Sequence, residues 1–559
     1  MPRTIPIGKQ SFSSLREEDS FYIDKTHFIS EWWNGRDDVT LITRPRRFGK
    51  TLMLDTVRTF FSPEFKDLPE LFAGLSIEQD EKLMALRGAV PVIFLSFANI
   101  KGRNYAETIE SMKASLVGLY NDFKWLADDA FSDTEKEQFA SVRLSMSDST
   151  AQRAVQDLSK YLYRHYGVKP IILLDEYDTP MHEAWLAGYW DELVGFLRGF
   201  FNSTFKTNPY LGRGLMTGIT RVSKESLFSD LNNLEVITST SARYTDCFGF
   251  TEEEVFAAMD EYGLADKAGV KEWYDGFIFG DKRDIYNPWS IIKYLKTGEF
   301  DTYWADTSSN SLVGELIGHA EAEVKMDMEK MLAGEPVTAW LDEQIVFSQL
   351  PNEPGAIWSF LIAAGYLKVL SCDKVQKQYE IALTNKEVHL MMEKLIRLWF
   401  NGGRTRSASA EFRKALLTGD IPLLNMLLNK ITLETFSYFD TSGEDSERFY
   451  HGFALGLLVD MKGRYDVESN RESGYGRYDI MLRPADAWDP GIIIEFKTLA
   501  EYHGEKSLED TVEAALKQIR DKNYAAELLA SGIPSDRINA YGIAFQGKKA
   551  LVGGGRLEL

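Results

Sequence analysis

The sequence predicts an α/β protein in three parts: a doubly wound, mostly parallel sheet at the N-terminus, a mainly helical middle region, and a second, smaller α/β domain. Three observations predict this. At Val39–Thr51 (VTLITRPRRFGKT) an apolar, β-branched run enters a short basic loop and then Gly-Lys-Thr. Val90–Phe97 and Pro170–Leu174 are nearly continuous apolar runs, the composition of strands buried on both faces of a sheet. Near the C-terminus, Tyr478–Leu482 and Gly491–Lys497 alternate as strands, and the helical run Ser507–Tyr524 follows them.

Length and composition set bounds. The 559 residues suffice for about three to four domains at ~150 residues each. A net charge of -21, from 63 basic and 84 acidic residues, excludes a whole-surface electrostatic binder of nucleic acid; such contact needs a local patch. Only Cys247 and Cys372 are cysteines, so no disulfide framework or cysteine-type zinc site is expected. That fits a reducing, cytoplasmic compartment. The first residues, MPRTIPIGKQSF, lack the apolar core of a secretory leader, and no run of about 18 apolar residues predicts a membrane span.

In chain order, Ile5–Gly8 and Phe21–Thr26 read as short ordered pieces, either walling a nucleotide base or, more plainly, capping the sheet. The loop after Thr43 has the chemistry of a phosphate cradle: backbone N–H groups and a helix N-terminus face the anion. Lys50 would reach the β- and γ-phosphates and the Thr51 hydroxyl would sit on Mg²⁺. The pattern G-x-x-x-x-G-K-[ST] has Arg44 in place of its first glycine, and Pro45 removes one donor. Arg44, Arg46 and Arg47, flanking Phe48 and Gly49, add positive charge. The rival reading is a basic turn that binds nothing. Leu52, Val57, Phe60 and Phe61 then mark one buried helix face. Helices are expected over Tyr105–Phe123, Glu135–Leu144 and Ala151–Tyr166.

The run Ile171–Leu174 ends in Asp175 and Glu176. Strand ends of a parallel sheet face the ligand crevice, so Asp175 would hold Mg²⁺ and Glu176 would orient an attacking water. A buried strand ending in solvated acids is the plainer alternative. After Leu215–Gly218, Thr220 would sense the γ-phosphate and Arg221 would stabilise transferring charge; a surface or structural arginine is the alternative.

Tyr22–Thr26 (YIDKT), the RPRRFGKT loop, Leu173–Asp178 (LLDEYD) and Thr217–Arg221 (TGITR) together resemble the AAA-ATPase-like domain at the N-terminus of a large bacterial family. That resemblance covers residues 5–230 and implies a P-loop NTPase-like sheet; arginine at the first-glycine position is typical of the family. Trp273–Phe277 (WYDGF), Tyr286–Ser290 (YNPWS) and Tyr303–Asn310 (YWADTSSN) resemble its middle region. The first domain is placed at 1–284 and the middle at 285–440. In the latter, Ile357–Leu361, Ala363–Leu367 and Tyr379–Leu383 suggest a winged-helix-like unit. A spacer role is favoured over DNA binding because no basic cluster accompanies it. Glu387–Phe400 and Ala410–Phe436 read as amphipathic helices.

Residues 441–559 hold the second chemical constellation. Strand alternation puts Ile493, Glu495 and Lys497 on one face, and pairing with Tyr478–Leu482 would bring Asp479 beside Glu495. Two carboxylates and a lysine at one sheet edge suit metal-assisted phosphodiester cleavage: Asp479 and Glu495 as ligands, Lys497 on the water or the developing charge. A solvated ion pair is the plain alternative.

The spacing D-(x₁₅)-E-x-K resembles the PD-(D/E)XK nuclease superfamily, over about residues 445–550. The resemblance implies an αβββαβ order opened by a helix at Arg448–Met461, with Gln518, and more weakly Tyr524, at the site and a strand near Ala540–Phe545. Arg477-Tyr478-Asp479 replaces the usual Pro-Asp. The upstream acid is Glu447 or, closer to the family motif, Glu472. His451 and His503 have no triad partners.

The combined expectation is an ATP-binding P-loop ATPase controlling a metal-dependent nuclease. Its cofactors are ATP and Mg²⁺, with Mn²⁺ as an alternative at the nuclease site. Its partner is nucleic acid, DNA in the first instance, with no membrane and with homo-oligomerisation open. The alternative is a nucleotide-dependent switch or scaffold whose nuclease-like domain only docks nucleic acid or a protein.

Overall fold

A computed structural model describes residues 2–128, 131–221, 231–304, 354–373, 376–400, 406–435, 464–469, 479–486, 488–499, 505–546 and 549–557, with shorter pieces in 313–341 and 461–477. The chain forms two compact units: residues 1–312 with 336–390, and residues 313–335 with 391–559. The residues expected as one middle region, 285–440, are thus divided between the units.

The first unit is built on five parallel strands: β1 (Val39–Thr43), β2 (Val92–Ser96), β3 (Ile171–Asp175), β4 (Arg213–Gly218) and β5 (Leu234–Ile237), in the order β2-β3-β4-β1-β5. All residues of β1 and β3 are buried, as apolar runs covered on both faces require. The expected helices are present at Lys50–Phe61, Tyr105–Asp122, Asp133–Ala140 and Asp148–Tyr166. Leu54, Val57, Phe60 and Phe61 are fully buried in one core with Ile42 and Leu173. Because β4 lies between β1 and β3, the phosphate-type loop and the acidic strand end flank the β4 terminus.

In the same unit, β6 (Phe250–Thr251), β7 (Phe277–Phe279) and β8 (Lys282–Tyr286) form a small antiparallel sheet. Its neighbouring core takes Ile5 and Phe21 from the N-terminus. A second antiparallel sheet has β9 (Val337–Trp340) before the helix Pro354–Ala363 and β10 (Leu367–Asp373) and β11 (Gln378–Leu383) after it, in the order β10-β11-β9. The helix, turn and hairpin were expected; β9 was not. Gly365 packs so closely on Pro45 that a Cβ there would lie 2.7 Å from the proline ring.

In the second unit, the single helix expected over Ala410–Phe436 is two, Arg406–Thr418 and Ile421–Thr435. Gly419, at φ +73, breaks the run because a left-handed residue ends a helix. The sheet comprises β12 (Tyr465–Ser469), β15 (Ile480–Pro484), β16 (Gly491–Thr498), β17 (Ile538–Gln546) and β18 (Lys549–Arg556), in that order; β13 (Glu472–Ser473) and β14 (Gly476–Arg477) form a separate two-stranded piece. β16 and β17 are parallel and the other pairs antiparallel. The helix Leu508–Asp521 covers one face. The expected first helix, Arg448–Met461, lies outside the described residues but for Met461, as do Glu447, His451, Tyr478 and His503.

β18 adds an edge strand that the sequence reading lacked. Asn425 and Asn429, one helical turn apart, bond its backbone in both directions. Their amides donate to the Val552 and Ala550 carbonyls at 2.8 and 2.6 Å and accept from the same residues' N–H groups at 2.7 and 3.0 Å. Helical side chains thereby satisfy backbone that an edge strand would otherwise expose.

Candidate active sites

The loop after β1 lines a cavity of about 550 Å³, within the ~300–1,000 Å³ usual for small-molecule sites. Gly49, at φ +78, is the N-cap of the helix Lys50–Phe61. That backbone conformation requires glycine and turns the helix N-terminus toward the cavity. Lys9, Lys25, Arg46, Arg47, Lys50 and Lys101 contribute basic side chains to the lining. Phe48 is buried, edge-on to Phe277 and Phe279, and anchors the loop from behind.

Lys50 is buried and donates to the carbonyls of Arg44 at 2.9 Å and Pro45 at 2.8 Å. Burial lowers its pKa to about 8; Asp175, Glu176 and Asp178 act in the opposite direction. The Thr51 hydroxyl donates to Asp175 at 2.6 Å, and Thr217 of β4 donates to the other Asp175 oxygen at 2.6 Å. The two residues assigned from sequence to one metal are thus in contact. Glu176 lines the cavity beside them at φ +51.

Two expected nucleotide contacts are placed elsewhere. Arg44 is fully buried. Its guanidinium donates to the carbonyls of Thr43, Thr238 and Tyr244 and stacks on Phe279 at 4.4 Å. Burial lowers its pKa to about 10. It is a structural cation that ties β1 to the segment after β5, not a lining residue. Arg221 lines a different small cleft, with Thr238, Ser359 and Ile362. Thr220 is also withdrawn: its hydroxyl and N–H both donate to Asp178 at 2.8 Å.

Several residues here carried no individual signal in the sequence. The Asn287 amide and the Trp304 indole N–H both donate to the Arg46 carbonyl, at 3.3 and 3.1 Å. Arg47 stacks on Trp289 at 4.5 Å. Glu387 accepts from the Ser290 hydroxyl and the Trp304 N–H, at 2.8 and 2.5 Å. Asn287 and Trp289 of the YNPWS piece and Trp304 of the YWADTSSN piece therefore brace the loop, while residues 305–310 lie outside the described residues; the aromatic and Asn content of these pieces was the available signal. Asp178 also accepts from Ile219 N–H at 3.0 Å, and His182 lies 3.1 Å from the Thr220 hydroxyl. His182 lines the cavity, and burial lowers its pKa. Pro6, Gly8, Tyr22 and Ile23 also line it, Ile5 enters the neighbouring core, and Phe21 does both. The N-terminal pieces are both wall and cap.

In the second unit, β15 and β16 pair with Ile480 opposite Ile494 and Met481 opposite Ile493. Continuing that register sets Asp479 beside Glu495, and Asp479 accepts the Phe496 N–H at 2.8 Å. Glu495 is 3% exposed and accepts from the Gln518 amide, which also reaches the Tyr524 hydroxyl at 3.2 Å. Burial raises the Tyr524 pKa, which keeps the hydroxyl protonated. Lys497 follows on the Glu495 face of β16 and is half-buried. Asp479, Glu495, Gln518 and Tyr524 thus converge where the sheet meets the helix Leu508–Asp521. Two carboxylates, one deeply buried and oriented by an amide, are a donor set suited to a hard divalent cation. Glu472 lies on β13 opposite Arg477; its side chain is outside the described residues.

The fold and these two sites define a two-part protein, an α/β domain with a phosphate-type loop followed by a mixed-sheet domain with a carboxylate site. Family comparisons agree. Residues 6–228 match the AAA-ATPase-like family described as "Predicted AAA-ATPase", and residues 445–553 match the PD-(D/E)XK nuclease superfamily. The chain carries these two domains in this order. It is also similar to the uncharacterized protein in the vnfD 5′ region of Azotobacter chroococcum mcd 1, with 25% identity over 97% of this chain and 96% of that protein.

Proposed function

We propose that the chain is an ATP-binding, ATP-hydrolysing protein whose nucleotide state controls a metal-dependent phosphodiesterase acting on nucleic acid, DNA in the first instance. The observation that carries the cleavage reading is the meeting of Asp479 with buried Glu495 under Gln518 and Tyr524. Mg²⁺ or Mn²⁺ there would neutralise phosphate charge and activate water. Asp479 and Glu495 would hold the metal, Gln518 fixes the Glu495 rotamer, and Lys497 supplies a cation for the developing negative charge.

In the first unit, the loop N–H groups, Lys50, Arg46 and Arg47 suit a polyphosphate. Thr51 and Asp175 would hold its Mg²⁺, and Glu176 would orient water. Control of one site by the other is motivated by their occurrence in one chain. No helix among the described residues is long and apolar enough to cross a membrane.

The test is incubation of wild type and Glu495→Ala with plasmid, linear and single-stranded DNA and with RNA, with Mg²⁺ or Mn²⁺, and with or without ATP. Wild type is expected to cleave, faster with ATP, and Glu495→Ala to lose cleavage while still binding nucleotide. Equal cutting with and without ATP would remove the control; cleavage surviving in Glu495→Ala would remove the catalytic assignment. Nucleic-acid binding with no cleavage by wild type would favour the docking role.

A further inference from the structure

Beside the cavity of the phosphate-type loop, but outside the residues assigned to either proposed activity, four side chains of the first unit converge. His27 and Glu31 stand one turn apart on the helix His27–Gly35, so both project from one face. Asp246 and Cys247 come from the segment just before β6. One donor atom from each lies within 4.8 Å of all the others.

We infer that His27, Glu31, Asp246 and Cys247 form a binding site for a borderline-soft divalent cation of the zinc class.

The geometry carries this. The Cys247 sulfur is 3.4 Å from His27 Nε2, 3.9 Å from Asp246 Oδ1 and 4.0 Å from Glu31 Oε2. His27 Nε2 is 3.6 Å from Asp246 Oδ1. A tetrahedral zinc with bonds of ~2.0–2.3 Å has ligand–ligand edges of about 3.3–3.8 Å. Four of the six edges lie within a few tenths of an ångström of that tetrahedron, and the two from Glu31 to His27 and Asp246 are at most 4.8 Å. The sulfur–carboxylate separations lie at the outer limit for a thiol donor, and a metal would take the place of the His27–Asp246 ion pair.

The donor chemistry selects the metal. A thiolate and an imidazole favour zinc-class ions, whereas Mg²⁺ and Ca²⁺ take oxygen ligands. Binding breaks the Cys247 S–H bond, forms a metal–sulfur bond and releases the proton to solvent. His27 binds as a neutral base through Nε2, and the two carboxylates bind ionised. Of the nearby cations, Lys25 is directed to Glu254 and to the Asp246 carbonyl, at 2.7 and 2.6 Å, Arg243 to Asp37, and Arg44 to backbone carbonyls, which leaves the donor atoms accessible to a metal. Only one of the four ligands is a cysteine, which is why cysteine spacing gave no sign of the site. Cys247 and Lys25 also line the large cavity, so a bound metal would brace that wall.

The test uses full-length protein freed of metal by chelator dialysis and titrated with Zn²⁺ alone and Co²⁺ alone. Wild type and Cys372→Ser are expected to take up one tightly held Zn²⁺ and to give a near-ultraviolet sulfur-to-cobalt band with tetrahedral visible bands. Cys247→Ser is expected to lose the sulfur band. His27→Ala and Glu31→Ala, at less buried positions, are expected to keep the fold and weaken Zn²⁺ binding by at least about tenfold. No Zn²⁺ uptake by wild type, a cobalt spectrum without the sulfur band, or binding unchanged in both His27→Ala and Glu31→Ala would overturn the assignment. Neither carboxylate site has a thiol, so the sulfur band reports this cluster alone.

Discussion

The two candidate sites are assembled in opposite ways. At the C-terminal site, Asp479, Glu495, Lys497 and Gln518 come from two paired strands and the next helix, within 40 residues of chain. Strand alternation and one helix turn suffice to bring them together. The N-terminal cavity draws on residues from Pro6 to Ile292. Its loop is held by contacts across hundreds of residues, from Asn287, Trp304 and Thr238. A compact site depends on local geometry; a dispersed one depends on every element that braces it. Substitutions at the first should therefore change chemistry with little effect on folding, whereas those at the second should separate into binding and stability classes.

The largest effect expected in the dispersed site is at Lys50. On the proposed function, Lys50→Ala removes the cation that would reach the phosphates and should lower ATP hydrolysis by about 10²–10³-fold, measured as phosphate release, with the fold retained by circular dichroism.

The sharpest separation lies between neighbouring arginines. Arg44→Ala leaves a cavity and three buried carbonyls without their donor, and should cost about 3 kcal/mol of stability, read as a lowered denaturation midpoint. Arg46→Ala is exposed and should leave that midpoint nearly unchanged while weakening ATP binding roughly tenfold. If both variants behaved alike, the division of the loop into bracing and binding arginines would fail.

Gln518→Ala should lower cleavage about tenfold by freeing the Glu495 rotamer, and Gln518→Glu should not rescue it, because a carboxylate cannot donate to Glu495. The rate of cleavage at saturating metal is the readout.

The smallest effect is a pH dependence. The folded-state pKa of Lys50, about 8, lies below its ordinary 10.5. Its ammonium form, which phosphate needs, predominates below pH 8, is half present at that pH and is lost above it. Affinity for ATP should fall as pH rises from 7 to 9, by up to about tenfold, and Lys50→Met should flatten the profile. Stability moves the other way: the cost of burying the charge is full below pH 8 and relieved between 8 and 10.5. Calorimetric titration and thermal melts across that range check both signs.

The readable features were those with local periodicity. The apolar runs became β1, β2, β3 and β16, and the loop helix buried its expected face. The pairing of Asp479 with Glu495 followed from the period of two along a strand. Arg44 was misplaced because sequence shows its charge but not the three carbonyls that enclose it. The break at Gly419 was missed because the apolar spacing of Ala410–Phe436 runs on through it. The Asn425–Asn429 clamp required knowing that β18 lies beside that helix.

By itself, then, the sequence determined an α/β chain with a phosphate-type loop, acids at the end of a buried strand, and a carboxylate–lysine strand, because residue types at fixed local spacings dictate strands, helices and the faces their side chains share. Only the tertiary structure decided which loop arginines brace and which line the cavity, how the middle residues divide between the two units, and that His27, Glu31, Asp246 and Cys247 meet. Those outcomes rest on contacts between residues far apart in the chain, whose spacing along it carries no record of their distance in space.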